Sequence, residues 1–306
     1  MVFPSERPSA RVLVTGLEGF TGRYVGAELR QAGYEVFGLS SKVGADTDDL
    51  VDLLDANALA QIVQKIRPQA VIHLAAIAFV AHGDTEAIYR TNIMGTRNLL
   101  SALVSLQEHP SCVLLASSAN VYGNAQGCEG PLDELTPLAP LNDYAVSKLA
   151  MEYMARTWAE RLPILFSRPF NYTGVGQRPQ FLIPKIVDHF RRGERHIELG
   201  NLDVWREFTD VRAVAWAYRR LLETHNEVDT FNICTGSTYS LREVIAMMEE
   251  IAGYSIDVSV NPAFVRTNEV RRLQGSSVRL QGRIGTLPPY SLRETLLWMY
   301  QAPPHG

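Results

Sequence analysis

Three side chains in this sequence are of types that can move a proton together. Tyr144 and Lys148 stand four residues apart in Tyr144-Ala-Val-Ser-Lys148, and the pair Ser117-Ser118 lies upstream. On a helix, positions i and i+4 share one face. A lysine ammonium beside a phenol favours the phenolate and lowers a tyrosine pKa from about 10. That makes Tyr144 a usable general acid–base, with Ser118 able to hydrogen-bond the substrate oxygen that Tyr144 protonates. The spacing alone is common in plain helices, so its weight depends on the surrounding elements.

The second run of interest is Thr15-Gly16-Leu17-Glu18-Gly19-Phe20-Thr21-Gly22. Gly16, Gly19 and Gly22 permit a tight turn and let backbone N–H groups approach a pyrophosphate. With Phe20 and Thr21 this run opens a helix, whose N-terminus favours negative charge. A glycine triplet is a weak signal by itself. Here an apolar strand precedes it and a helical pattern follows, the context of a dinucleotide site. The acid that binds an adenosine ribose is expected about 20 residues on, where this chain has Ser40-Ser41-Lys42. None of these is a carboxylate, and Lys42 could pair with a 2′-phosphate. The sequence therefore favours NADP(H), with NAD(H) as the other reading. Asp52 is placed to accept from the adenine amine.

Short apolar runs at residues 11–15, 34–39, 70–73, 112–116 and 163–167 read as strands. Helical patterns at 56–66, 86–107 and 144–161, and one after the glycine turn, alternate with them. Continuous apolar strands alternating with helices predict a Rossmann-type α/β fold, a doubly wound parallel sheet covered on both faces. Ser118 then sits at the C-terminal end of a strand, where such folds place ligands. Beyond about residue 170 prolines, glycines and longer loops increase, with helical patterns at 180–193, 211–224, 240–252 and 290–301. The expected organisation is a dinucleotide-binding domain over 1–170, with later segments returning to it, and a smaller substrate-binding portion over 171–306.

Composition narrows the class. The 306 residues are 46% hydrophobic and carry a net charge of −4, so no basic field points to nucleic acid. No apolar run approaches the roughly 18–20 residues of a membrane helix. The N-terminus lacks a hydrophobic signal core, which predicts a cytoplasmic address. Cys112, Cys128 and Cys234 are odd in number and lack metal-ligand spacing, so neither a disulfide framework nor a metal site is expected.

As a set, the motifs resemble the extended short-chain dehydrogenase/reductase family over nearly the whole chain. They are the glycine turn at 15–22, His73-Leu-Ala-Ala76, Ser117-Ser-Ala-Asn-Val-Tyr-Gly123, the Tyr144–Lys148 pair, Arg168-Pro-Phe-Asn171, Arg206-Glu-Phe-Thr-Asp-Val211 and Phe231-Asn-Ile-Cys-Thr-Gly236. The resemblance implies a nucleotide-sugar substrate held between the two portions and a catalytic set of Ser118, Tyr144 and Lys148. It implies that Leu74, Ala75, Ala76 and Asn92 line the cofactor, that Phe170 lies against the nicotinamide, and that Asp52 and Leu53 hold adenine. It also implies a homodimer paired through the helices at 86–107 and 144–161.

Absences narrow the reaction. The 4,6-dehydratases of this family carry Thr-Asp-Glu where this chain has Ser118-Ala119-Asn120, and loss of water needs a donor and a base there. The 3,5-epimerising relatives look to need a Cys at the position of Ala119 and a His near Phe181. C4 reduction or 4-epimerisation remains. The segments at 170–177, 200–210 and 266–276 resemble those of GDP-4-keto-6-deoxy-mannose reductases, with Gly285-Thr286 departing from the Gly-Trp of relatives. By that resemblance Arg206 and Arg266 bind the diphosphate, Asn171 the diphosphate or sugar, and Glu269 the nucleoside. Ala78, Phe79, Val80, Asn120, Phe181 and Lys185 complete the substrate contacts. The implied activity is NADPH-dependent reduction of GDP-4-keto-6-deoxy-D-mannose to a GDP-6-deoxy-hexose such as GDP-D-rhamnose. The alternatives are the talose epimer as product, or a 4-epimerase with tightly bound NAD.

Overall fold

Strand β1 (Arg11–Thr15) is buried from Val12 onward, so neither of its faces can be left to water. A computed structural model of the chain describes residues 10–40, 49–78, 84–124, 130–224, 228–265 and 271–303, and it supplies that cover. β1 lies beside β2 (Glu35–Ser40), which continues to the short β3 (Asp49–Leu50). On its other side follow β4 (Ala70–His73), β5 (Cys112–Ala116), β6 (Ile164–Pro169) and a last strand, Asp229–Ile233. The registers from β1 to β6 are parallel. The chain leaves β1 in one direction to β2 and later returns on the other side to β4. That reversal opens a crevice at the strands' C-terminal ends.

The helices are α1 (Phe20–Gln31), α2 (Ala56–Ile66), α3 (Thr85–Tyr89), α4 (Thr96–Val104) and α5 (Asp143–Arg156). The five apolar runs form strands within two residues of the expected bounds. The stretch at 86–107 differs: a π-helical turn, Arg90–Gly95, separates α3 from α4. A π turn inserts an extra residue into a helix and is common at functional sites. Here it carries Asn92, buried and hydrogen-bonded to Ile77 and Ser147.

Two compact units result. The first comprises Met1–Ser118, Asn142–Arg168 and Ala215–Phe231; the second comprises Ala119–Leu141, Pro169–Val214 and Asn232–Gly306. The first is built on a core that includes Leu13, Leu59, Leu99, Leu103, Val113 and Phe166. It also buries an ion pair: Arg168 donates to Glu152 through Nε (2.9 Å) and Nη2 (2.7 Å), fastening α5 to β6. The second has its own core around Ile186, Phe190, Val244, Met248 and Leu296. Within it the Arg212 guanidinium lies 4.1 Å from the Tyr290 ring centre and 4.0 Å from that of Trp298, and it is bidentate to Asp210. Among the described residues no helix is long and apolar enough to cross a membrane.

Candidate active site

The N-cap of α5 is Asn142, whose side chain accepts from the Ala145 N–H at 2.9 Å. The helix therefore starts at Asp143, and Tyr144 and Lys148 fall one turn apart, both buried. Lys148 Nζ donates to the Ala116 carbonyl at 2.7 Å, at the C-terminal end of β5. Ser118, two residues beyond that strand, is also buried. The three side chains with proton-moving chemistry thus all belong to the first unit; Lys148 reaches the strand end that Ser118 follows, and Tyr144 stands one turn before Lys148 on the same helix. Burial pulls the Lys148 ammonium down to about 8, partly opposed by the nearby Glu152 carboxylate. A lysine so placed is charged at neutral pH yet close to exchanging its proton.

A chain of buried hydrogen bonds braces this corner. Asn92 accepts from the Ile77 N–H (2.9 Å) and donates to the Ile77 carbonyl (3.2 Å) and to Ser147 Oγ (3.0 Å). Ser147 Oγ in turn donates to the Tyr144 carbonyl at 2.7 Å. Asn92 is thus a brace between the segment after β4 and the first turn of α5. His73 extends the network: its Nε2 lies 2.9 Å from Thr96 Oγ1 and its Nδ1 2.7 Å from Thr15 Oγ1. The Thr96 hydroxyl proton is given to the Asn92 carbonyl, so Thr96 must accept from His73 Nε2–H. Nδ1 then carries a lone pair and accepts from Thr15, whose oxygen also accepts from the Ala75 N–H.

This arrangement has no place for a second imidazole proton. Burial, with a smaller contribution from the Lys148 charge, drives the His73 pKa down to about 3. The unfolded chain takes up that proton below about 6.5, the folded protein only near 3. The stability from neutral His73 is complete above the unfolded pKa and is lost as pH falls through this window. Roughly 3 kcal/mol is expected to go between pH 7 and 4.5 from this residue alone. Urea unfolding measured at both pH values should show it, and His73→Asn should flatten the slope. An unchanged slope in the variant would contradict the assignment.

The glycine turn fits a dinucleotide. Gly16 has φ +72°, and a Cβ on Gly22 would stand 2.1 Å from the Gly16 carbonyl oxygen, so a side chain at either position would disrupt the turn. Gly19 caps α1 without a side-chain hydrogen bond, and no acidic residue occupies the first helical turn, which holds Phe20 and Thr21. That leaves the positive end of the helix suited to phosphate. Leu74 N donates to the Thr15 carbonyl at 3.2 Å, and the Ala75 backbone lies against Gly16. Ala76 follows, half-buried, and Ala78 is exposed. Asp52 is exposed and accepts from the Leu54 N–H, while Leu53 belongs to the core of the first unit.

At the end of β2, chain position and space diverge. Ser40 is followed by Ser41 and Lys42, neither a carboxylate, but its hydroxyl donates to Glu18 Oε1 at 2.5 Å. Glu18 comes from the glycine turn, so a carboxylate does stand at this point. Ser41, Lys42, Phe79, Val80, Arg266 and Glu269 lie outside the described residues.

Apart from Ala78 in the first unit, the expected substrate residues that are described belong to the second unit. Phe170 is buried and stacks on Tyr122 with ring centres 6.1 Å apart, and Gly275 packs against its ring. Asn171 is exposed, and its carbonyl accepts from Thr209 N at 3.0 Å. Asn120 lies in a 3-10 turn, Ala119–Tyr122, and Phe181 caps the helix Leu182–Arg191. Lys185 Nζ donates to the Glu198 carbonyl at 2.8 Å and lies 4.6 Å from the centre of the Phe264 ring. Arg206 Nη1 donates to the Trp205 carbonyl at 2.9 Å. Glu207, which the motif reading passed over, is buried and accepts from Thr235 N (2.8 Å), Gly236 N (3.2 Å) and Gly275 N (2.6 Å). Burial raises its pKa against the pull of these bonds. It ties three backbone segments beside Arg206, and a carboxylate within the quoted Arg206–Val211 run was the available sign.

Residues 13–299 match the family described as GDP-mannose 4,6 dehydratase. The chain belongs to this family. Within it, the chain is 34% identical to GDP-6-deoxy-D-talose 4-dehydrogenase of Aggregatibacter actinomycetemcomitans, over 95% of this chain and 97% of that one. It is also 34% identical to GDP-6-deoxy-D-mannose reductase of Pseudomonas aeruginosa, over 94% of each. Among solved structures, a Burkholderia cenocepacia J2315 protein provisionally labelled an epimerase is 52% identical with a TM-score of 0.90, over 96% of this chain and 98% of that one. The Rossmann-type parallel sheet read from the sequence is thus the architecture of a GDP-mannose 4,6 dehydratase family member.

Proposed function

We propose that this protein reduces the C4 ketone of GDP-4-keto-6-deoxy-D-mannose to a GDP-6-deoxy-hexose, GDP-D-rhamnose, using NADP(H), with NAD(H) as the alternative cofactor. The observation that carries the reading is the buried set Ser118, Tyr144 and Lys148 at the end of β5, in one unit with the glycine turn. Ala119 and Asn120 stand where dehydration would need carboxylates. The similarity to a GDP-6-deoxy-D-mannose reductase and a GDP-6-deoxy-D-talose 4-dehydrogenase supports a GDP-sugar and chemistry at C4.

A bound nicotinamide dinucleotide supplies the hydride. Tyr144 gives its phenolic proton to the C4 oxygen, and Ser118 donates a hydrogen bond that polarises the carbonyl beforehand. The Lys148 ammonium favours the phenolate left on Tyr144 and holds the nicotinamide ribose. Asn92, through Ser147, keeps the first turn of α5 in register with the strand end. Arg206 suits the diphosphate, since its guanidinium can make paired hydrogen bonds to phosphate oxygens. Asn171, Phe181 and Lys185 add sugar-nucleotide contacts from the same unit.

The test is stoichiometry. With the keto-sugar and NADPH, one NADPH should be oxidised per ketone consumed, with a GDP-6-deoxy-hexose as product. Proton couplings of the product sugar separate rhamnose from talose. The 52%-identical neighbour labelled an epimerase supports epimerisation as the second reading, at C4 by the chemistry of the site. Interconversion of C4 epimers with no net change in NADPH would replace reduction by it.

The same reading includes a cytoplasmic homodimer. Exposed Met94, Val146 and Tyr153 on the π turn and α5 support pairing through these helices. Cys112 and Cys234 are free and buried, in keeping with a reducing compartment. Sedimentation at micromolar concentration should give twice the mass of one chain; a monomer would exclude the dimer.

A further inference from the structure

We infer that Glu18 discriminates between the two nicotinamide dinucleotides: its carboxylate accepts the 2′-hydroxyl of the adenosine ribose and opposes a 2′-phosphate. The inference rests on the dinucleotide site of the proposed function and assigns its ribose-reading residue.

In a doubly wound sheet the end of the second strand is where the adenosine ribose is met, and an acid there binds its hydroxyls. This chain ends β2 in Ser40, which cannot oppose a phosphate by charge. The Ser40 hydroxyl instead holds Glu18 Oε1 at 2.5 Å, importing a carboxylate from the glycine turn 22 residues earlier. The other oxygen, Glu18 Oε2, is buried and has no hydrogen-bond partner among the described residues. A buried acceptor without a donor is costly. A ribose hydroxyl is a donor of the right kind at the right strand end, whereas a 2′-phosphate brings only acceptor oxygens and negative charge. At this range in a partly buried setting, like charges repel strongly. Glu18 therefore weighs against NADP(H), while Lys42, two residues past Ser40, would weigh the other way.

Calorimetry with ADP-ribose and its 2′-phosphate, on the whole protein, isolates this end of the cofactor from hydride chemistry. Glu18→Gln keeps the shape and removes the charge. The ratio of the Kd for the 2′-phosphate to the Kd for ADP-ribose should fall by about tenfold or more in this variant. A ratio within twofold of the wild type overturns the inference while leaving the dinucleotide site intact. If neither ligand binds the wild type at millimolar concentration, the dinucleotide reading itself fails, and this inference with it. Should Glu18→Gln not fold, Ser40→Ala, which unties the carboxylate, is expected to move the ratio the same way by a smaller factor; no movement overturns the inference.

Discussion

Tyr144→Phe should bind its dinucleotide as the wild type does and lose kcat by about 10³-fold. The phenol sits on the first turn of a helix whose cap is Asn142 and whose Tyr144 carbonyl is held by Ser147 Oγ. These contacts hold the backbone of the first turn and do not use the phenolic oxygen, so α5 keeps its start in the variant. What goes is the one proton the reaction needs at the carbonyl oxygen, and a positioned acid is worth about 10²–10⁴ in rate. The loss belongs in kcat and in kcat/KM alike, because the proton is shared only as the transition state forms. Single-turnover reduction with NADPH absorbance as readout measures it, alongside cofactor Kd by fluorescence. Full activity in the variant would sink the assignment of Tyr144 as the acid.

The second large effect is structural. Arg168→Met should destabilise the protein by about 3–5 kcal/mol, because Glu152 is then left buried and unpaired. Side-chain exposure is 4% for Arg168 and 2% for Glu152, so water cannot take over as partner. The pair joins β6 to the later turns of α5, and Glu152 lies one helical turn beyond Lys148. Glu152 also supports the Lys148 charge against burial. A double variant, Glu152→Leu with Arg168→Met, should recover most of the stability, since apolar residues can replace a buried pair at little cost. In that double variant the Lys148 pKa should drop below its present value of about 8. The basic limb of the pH–rate profile would then move to lower pH. Chemical unfolding gives the first result and the pH profile the second. Equal loss in the single and double variants would count against the buried-charge explanation.

The residues that carry chemistry were legible in the sequence where the signal is local. A glycine turn states a backbone conformation in eight consecutive residues, since only glycine fits where a Cβ would stand 2.1 Å from a carbonyl oxygen. The Tyr144–Lys148 spacing states a helical face, and the capping Asn142 marks its start. Continuous apolar runs announce strands buried on both sides. These were enough for the sheet, the helix order and the family.

What only the tertiary structure decided are contacts between elements distant in sequence. His73 meets Thr15 across 58 residues and Thr96 across 23, and Ser40 meets Glu18 across 22. Such partners depend on the register of neighbouring strands and on the return of the chain through each crossover, which no residue states on its own. The π turn at Asn92 is of the same kind, because its side chain finds its partners on Ile77 and Ser147, outside its own helix. In the sequence, Tyr144 and Lys148 are a spacing on one helix. Folding gives Lys148 its burial and its strand-end carbonyl, and it brings to the end of β2 a carboxylate that Ser40, Ser41 and Lys42 do not supply.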